Sequence, residues 1–167
     1  VPNTFTKIAS VTVGAGGAAN IEFTSIPSTY TDLCLVYSTR TTAVSVSGND
    51  IISLNGSSSS FTGRRLYGSG ASVASDTVTT WAGFNSASTG TASTFSNSSI
   101  YFPNYAGSTN KSYSIDSVQE QNGTTAYMGL NAGLWSNTAA ITSIRFTPDS
   151  GNYAQYSTAT LYGIKNS

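Results

Sequence analysis

Lys7-Ile8-Ala9-Ser10-Val11-Thr12-Val13 decides the fold class of this chain. Ala9, Val11 and Val13 alternate with Ser10 and Thr12, the two-residue period of a strand with one face buried and one wet. Gly14-Ala15-Gly16-Gly17 breaks that period as a turn does. Beyond it Ile21 and Phe23 alternate with Asn20, Glu22 and Thr24, and the simplest pairing of the two runs is a hairpin.

The same signature recurs along the chain. Residues 31–39 place Leu33, Leu35 and Tyr37 on one face and Cys34 and Val36 on the other, which predicts a central strand covered on both sides. A short strand over 50–54 ends at Asn55-Gly56, a strong turn dipeptide. Further strands are predicted over 98–102, with Ile100 and Phe102 together, and over 112–118, with Tyr113 and Ile115 inward. Gln121-Asn122-Gly123 turns the chain into a strand over 125–130, which Ala132-Gly133-Leu134-Trp135 continues or caps. Strands over 141–147 and 158–164 complete the set. Residues 56–98, rich in Gly, Ser, Ala and Thr, predict long loops with one or two short strands near 64–67 and 77–84. No stretch has a helical period. Eight to ten short strands with little or no helix predict an all-β antiparallel sandwich of jelly-roll or Greek-key type. The expected organisation is a flexible arm over residues 1–5 and one sandwich domain over residues 6–167.

Composition narrows the chemistry. Of 167 residues, 29 are Ser and 24 are Thr, only 8% are charged, and there is no His. Ten Tyr, seven Phe and two Trp argue for an ordered core rather than a disordered chain. Formal net charge is zero and Arg64-Arg65 is the one basic pair, too little to neutralise a phosphate backbone, so no nucleic-acid partner is expected. No run approaches the length of a transmembrane helix and no basic-then-apolar leader opens the chain, so no membrane partner is expected either. The single Cys34 has no internal disulfide partner and sits in an apolar run, which reads as a small buried hydrophobe.

Each common catalytic constellation fails on residue type. Without His there is no Ser-His-Asp or Cys-His pair, and one Cys with no His leaves no zinc set. Paired carboxylates remain, and Asp116 and Glu120 lie four residues apart. On a strand that spacing is about 13 Å, too far for a retaining glycosidase and long for an inverting one. Asp149-Ser150-Gly151-Asn152 contains calcium-type oxygens but is better read as a turn. No catalytic residue, cofactor site or metal site is expected. Tyr67, Trp81, Tyr105 and Tyr153 sit in loop-like context, where exposed rings would stack on sugar or on a protein partner. The plainer reading of the four is that they pin loops to the sandwich.

The run Phe5-Thr6-Lys7-Ile8-Ala9-Ser10-Val11-Thr12-Val13-Gly14 resembles the opening of small virion proteins of tailed phages, common among phages of aquatic bacteria. The resemblance continues through Phe23-Thr24-Ser25-Ile26-Pro27, Tyr30-Thr31-Asp32-Leu33, Asn55-Gly56-Ser57 and residues 100–105. It ends on Ser157-Thr158-Ala159-Thr160-Leu161-Tyr162-Gly163-Ile164. Members of that group look like capsid decoration (cement) proteins or tail-fibre modules. The resemblance implies a noncatalytic protein made in the host cytoplasm and resident on the capsid surface of the virion. It further implies binding to the major capsid protein and to itself as a trimer or dimer. A chain of this length without a coiled-coil or collagen-like stalk suits decoration better than a fibre. On that reading Val1, Pro2, Asn3, Thr4 and Phe5 form an arm onto a neighbouring subunit. The alternative is a tail-fibre or receptor-binding module that recognises host surface glycan through the exposed aromatics.

Overall fold

Alternating apolar and hydroxyl residues form twelve strands, with no helix among the described residues, 4–165, of the computed structural model. In chain order these are β1 (Phe5–Thr12), β2 (Ile21–Phe23), β3 (Asp32–Ser38), β4 (Ser47–Leu54), β5 (Phe61–Ser69) and β6 (Ser72–Val78). They continue as β7 (Trp81–Ser86), β8 (Asn97–Phe102), β9 (Lys111–Gln119), β10 (Tyr127–Trp135), β11 (Ile144–Pro148) and β12 (Thr158–Ile164). One sheet has eight strands in the order β1-β12-β3-β8-β9-β10-β5-β6, and the other has four in the order β2-β11-β4-β7. Every pair of neighbouring strands is antiparallel.

Setting aside the hairpin β5–β6 and the pair β9–β10 leaves eight strands. Renumbered, they lie as first-eighth-third-sixth in one sheet and second-seventh-fourth-fifth in the other. That is the strand order of a jelly roll. The two additional pairs join at β10–β5 and continue the first sheet beyond β8. The total of twelve exceeds the eight to ten expected, although β9 and β10 fall on strands the sequence predicts. Residues 56–98, read as long loops with one or two short strands near 64–67 and 77–84, carry three longer ones, β5, β6 and β7, with β5 and β6 paired in register over seven positions.

The predicted hairpin of β1 with β2 does not form. β1 pairs with β12 and β2 with β11, in different sheets. Alternation tells which side of a strand is buried but not which strand lies beside it. The turn signals hold where they are strongest. Asn55 and Gly56 both take positive φ, at 51° and 75°, and Leu54 and Ser57 close the two-residue turn with reciprocal backbone bonds.

Leu33, Leu35, Ile100, Phe102 and Leu161 of the large sheet meet Ile21, Ile52, Leu54, Ile144 and Phe146 of the small one in a single core. At one end of the sandwich Arg40, just past β3, fans its guanidinium over the loop between β7 and β8. It donates to the carbonyls of Thr91 and Thr94 at 2.9 Å each and of Gly90 at 3.1 Å. Tyr153 bridges Ala18 and Thr41 at the same end, so the connections there are tied to one another.

Candidate functional site

The residues singled out from the sequence scatter over the molecule. Val1, Pro2 and Asn3 lie outside the described residues. Thr4 accepts the backbone N–H of Lys165 at 3.1 Å, and Phe5 opens β1 opposite Ile164 with its ring edge-on to Tyr162. Phe5 belongs to the sheet, because Ile164 at the end of β12 pairs with it, and Thr4 is bonded to the residue beyond, so the expected arm does not include Phe5.

The four aromatics proposed as exposed contacts are not exposed. Tyr105 and Tyr153 are fully buried, Trp81 is buried and Tyr67 half-buried. Each ring has an internal partner that draws it inward. Tyr153 donates its hydroxyl to Asp50 at 2.9 Å, Tyr105 donates to the carbonyl of Pro27, and Trp81 donates Nε1–H to Asn49 at 3.0 Å. Tyr67 and Trp81, in strands rather than loops, flank Arg65. Its guanidinium lies 4.6 Å and 5.0 Å from their ring centres, and it holds Asp76 in a two-point pair at 3.0 and 2.6 Å. This cluster fastens the β5–β6 hairpin to β7.

Asp50, on β4, is the most perturbed carboxylate. It has no solvent exposure and accepts from Asn85, Tyr153 and Thr39, each at 2.9 Å. Burial raises its pKa to about 6, against the opposing pull of those three donors. Two acids a few ångströms apart in a cleft would suggest glycoside chemistry. Here the nearby Asp149 is instead engaged by the backbone N–H and the side-chain amide of Asn49, at 3.0 and 2.9 Å. Asp116 is exposed on β9, and Glu120 accepts from the backbone N–H groups of Gln121 and Asn122 as the cap of a turn. Among the described residues no three His, Cys, Asp or Glu side chains are grouped to hold a metal ion.

The outer face of the eight-stranded sheet is the feature that sequence reasoning missed. β3 is central, as predicted, but it is not covered on both sides as expected: among the described residues no layer lies over its outer side, where Cys34 is half-buried and Val36 exposed. The second layer packs against one face only. Beside Cys34, Tyr101 donates to Asp32 at 2.6 Å, which pushes the tyrosine pKa up to about 12. Farther along the face Leu66, Val73, Val118, Met128 and Leu130 are all exposed.

β10 explains why. Its inward positions are Gly129, Asn131, Gly133 and Trp135, and its outward ones are Met128, Leu130, Ala132 and Leu134. The inward glycines are required by space. A Cβ on Gly133 would lie 2.2 Å from the Tyr113 ring, and one on Gly129 would lie 3.0 Å from Phe84. Two glycines therefore face the core between Tyr127, Asn131 and Trp135, while Met128 and Leu130 face water, so part of the strand reverses the ordinary half-buried pattern. Met128-Gly129-Leu130 carries that signal in the sequence, but only if the inward face is known.

No protein-family model matches the chain, and no curated protein matches it. Among solved structures, a β-fructofuranosidase from Schwanniomyces occidentalis complexed with fructosyl-erythritol is similar at a TM-score of 0.30 and 10% identity, over 99% of this chain. A variant of the fructofuranosidase from the same organism, complexed with fructosylnystose, gives 0.25 and 8% over the same share. The chain spans 35% of the length of each. Likeness at this level carries no argument about fold or activity. Fold and site define a class on their own: a jelly-roll β-sandwich with one sheet face left uncovered.

Proposed function

We propose that this chain is a noncatalytic structural protein of a tailed-phage virion: a capsid decoration (cement) protein that binds the outer face of the major capsid protein shell. The observation that carries the reading is the outer face of the eight-stranded sheet, broad, poor in charge and studded with exposed aliphatic side chains. Contiguous apolar surface of this kind is a mark of protein–protein contact. Its hydroxyls make neutral hydrogen bonds that salt screens little. Each clamp between neighbouring capsomers adds interface that opposes genome pressure. The glycan alternative loses the aromatic platforms it relied on, since those rings face inward.

The test is the number and position of copies in the purified particle, by quantitative gel and electron microscopy. A regular lattice of copies over the head is the expected result. A handful of copies at the tail would overturn it in favour of a receptor-binding module.

A further inference from the structure

We propose that Asn85 and Asp149, meeting over Gly48 in the small sheet, form a binding site for a hard divalent cation of the calcium type. Three elements bring them together. Gly48 on β4 is the direct partner of Asn85 on β7. Asp149 follows the last residue of β11 and donates its backbone N–H to the carbonyl of Asn49 at 2.9 Å. A Cβ on Gly48 would lie 2.8 Å from Asn85 Oδ1 and 2.8 Å from Asp149 Oδ1, so the two oxygens are at most twice that apart. Gly48 lacks the positive φ that would call for glycine, so what its missing side chain supplies is space.

Neither oxygen is satisfied by the other, because neither can donate. Asn85 is fully buried and its Oδ1 has no hydrogen-bond partner. Asp149 is exposed, and its two bonds from Asn49 both fall on Oδ2. Turning the Asn85 amide gives no relief. Its Nδ2–H donates to Asp50 Oδ1 at 2.9 Å, and the turned amide would aim its oxygen at that carboxylate instead. An amide held between two carboxylates always presents its oxygen to one of them. The ion pair given by the described residues joins Arg65 to Asp76, so it leaves both of these carboxylates without a cationic partner. A buried acceptor facing a carboxylate needs a donor or a positive charge between them.

The donor set selects the ion. Every ligand atom is oxygen, which suits a hard cation. One carboxylate and one amide oxygen, with water on the exposed Asp149 side, fit the large and adaptable shell of calcium better than the rigid octahedron of magnesium. Asp50 polarises the Asn85 amide from behind and strengthens its oxygen as a ligand. With a single carboxylate in direct contact the affinity belongs at the weak end, a dissociation constant of about 0.1–1 mM.

Terbium, a luminescent stand-in for calcium, tests the site in the purified full chain. Trp81 is the antenna: its Nε1–H bonds Asn49 Oδ1 at 3.0 Å, and the Asn49 amide bonds Asp149. Tryptophan excitation is expected to give saturable terbium emission that calcium displaces. Calcium chloride at about 10 mM is expected to raise the thermal midpoint by about 3 °C or more over the same concentration of magnesium chloride. D149N removes the charge and G48A puts a methyl group into the space, and each is expected to weaken terbium binding about tenfold or more. If G48A does not fold, the nearly isosteric D149N decides alone. Absence of saturable emission would mean that water alone bridges the two oxygens, and would overturn the site. Binding indifferent to D149N would overturn it too, as would terbium emission without a calcium effect on the midpoint, the mark of an adventitious ion only.

The site lies in the small sheet, whereas the face assigned to the capsid is in the large one, so either assignment can fail without the other.

Discussion

Asp50 shows how one carboxylate can tune this sandwich without doing chemistry. Its pKa is raised to about 6 chiefly by burial. In the unfolded chain it titrates at its ordinary value near 4. Between those values the folded state binds the extra proton, so Asp50's contribution to stability falls as pH rises from about 4 to about 6 and levels off above. The difference is worth about 3 kcal/mol at most. Urea denaturation at several pH values, compared with Asp50→Asn, should show the slope in the wild type and its loss in the variant; parallel profiles would refute the assignment. Lys111 is a second case. Its ammonium is buried at the start of β9 and donates to the carbonyls of Gly107 at 2.6 Å and of Thr109 and Thr138. Lys111→Met would leave those carbonyls short of a donor and should cost roughly 3 kcal/mol in the same assay.

At the level of elements, the additional strands are held by aromatic side chains lying across glycines. Tyr113 on β9 lies over Gly133, its direct partner on β10. Gly133→Ala drives a methyl group into that ring and should destabilise by about 1–3 kcal/mol or more, as overpacking does. Thermal melting measures it, and an unchanged midpoint would show that the ring can move aside. Arg65 secures the neighbouring hairpin through Asp76 and three rings. Arg65→Ala should leave the jelly-roll strands protected while β5 and β6 exchange their amide hydrogens faster, by about two orders of magnitude for a local loss near 3 kcal/mol. Uniform acceleration across the sheet would mean that the hairpin is not a separate unit.

At the scale of the whole molecule, closure is non-local. Phe5 pairs with Ile164, so the large sheet cannot complete until both ends of the chain have come together. Such topology folds slowly. Stopped-flow refolding followed by the fluorescence of Trp81 and Trp135 should proceed on the order of a second, and submillisecond recovery would contradict it. The eight jelly-roll strands alone would close two four-stranded layers. The additional four widen only one layer, so the two sheets differ twofold in strand number.

Strand character was legible in single segments, because a pleated chain with one wet face writes its period into the residues. Tyr113 and Ile115 facing inward, the Asn55-Gly56 turn and the sandwich class all followed from that. Composition likewise removed His-based and zinc chemistry, since those need residues the chain lacks. Neighbours were not legible. The pairing of β1 with β12, the burial of Tyr105 and Tyr153 and the grouping of Asp50 with Asn85 and Tyr153 join segments far apart in sequence, and local alternation contains no term for them. The candidate surface is the sharpest case. Hydrophobicity alone does not say which way Met128 and Leu130 point, and the rings of Trp81 and Phe84, packed against Gly129 between them, leave them facing water.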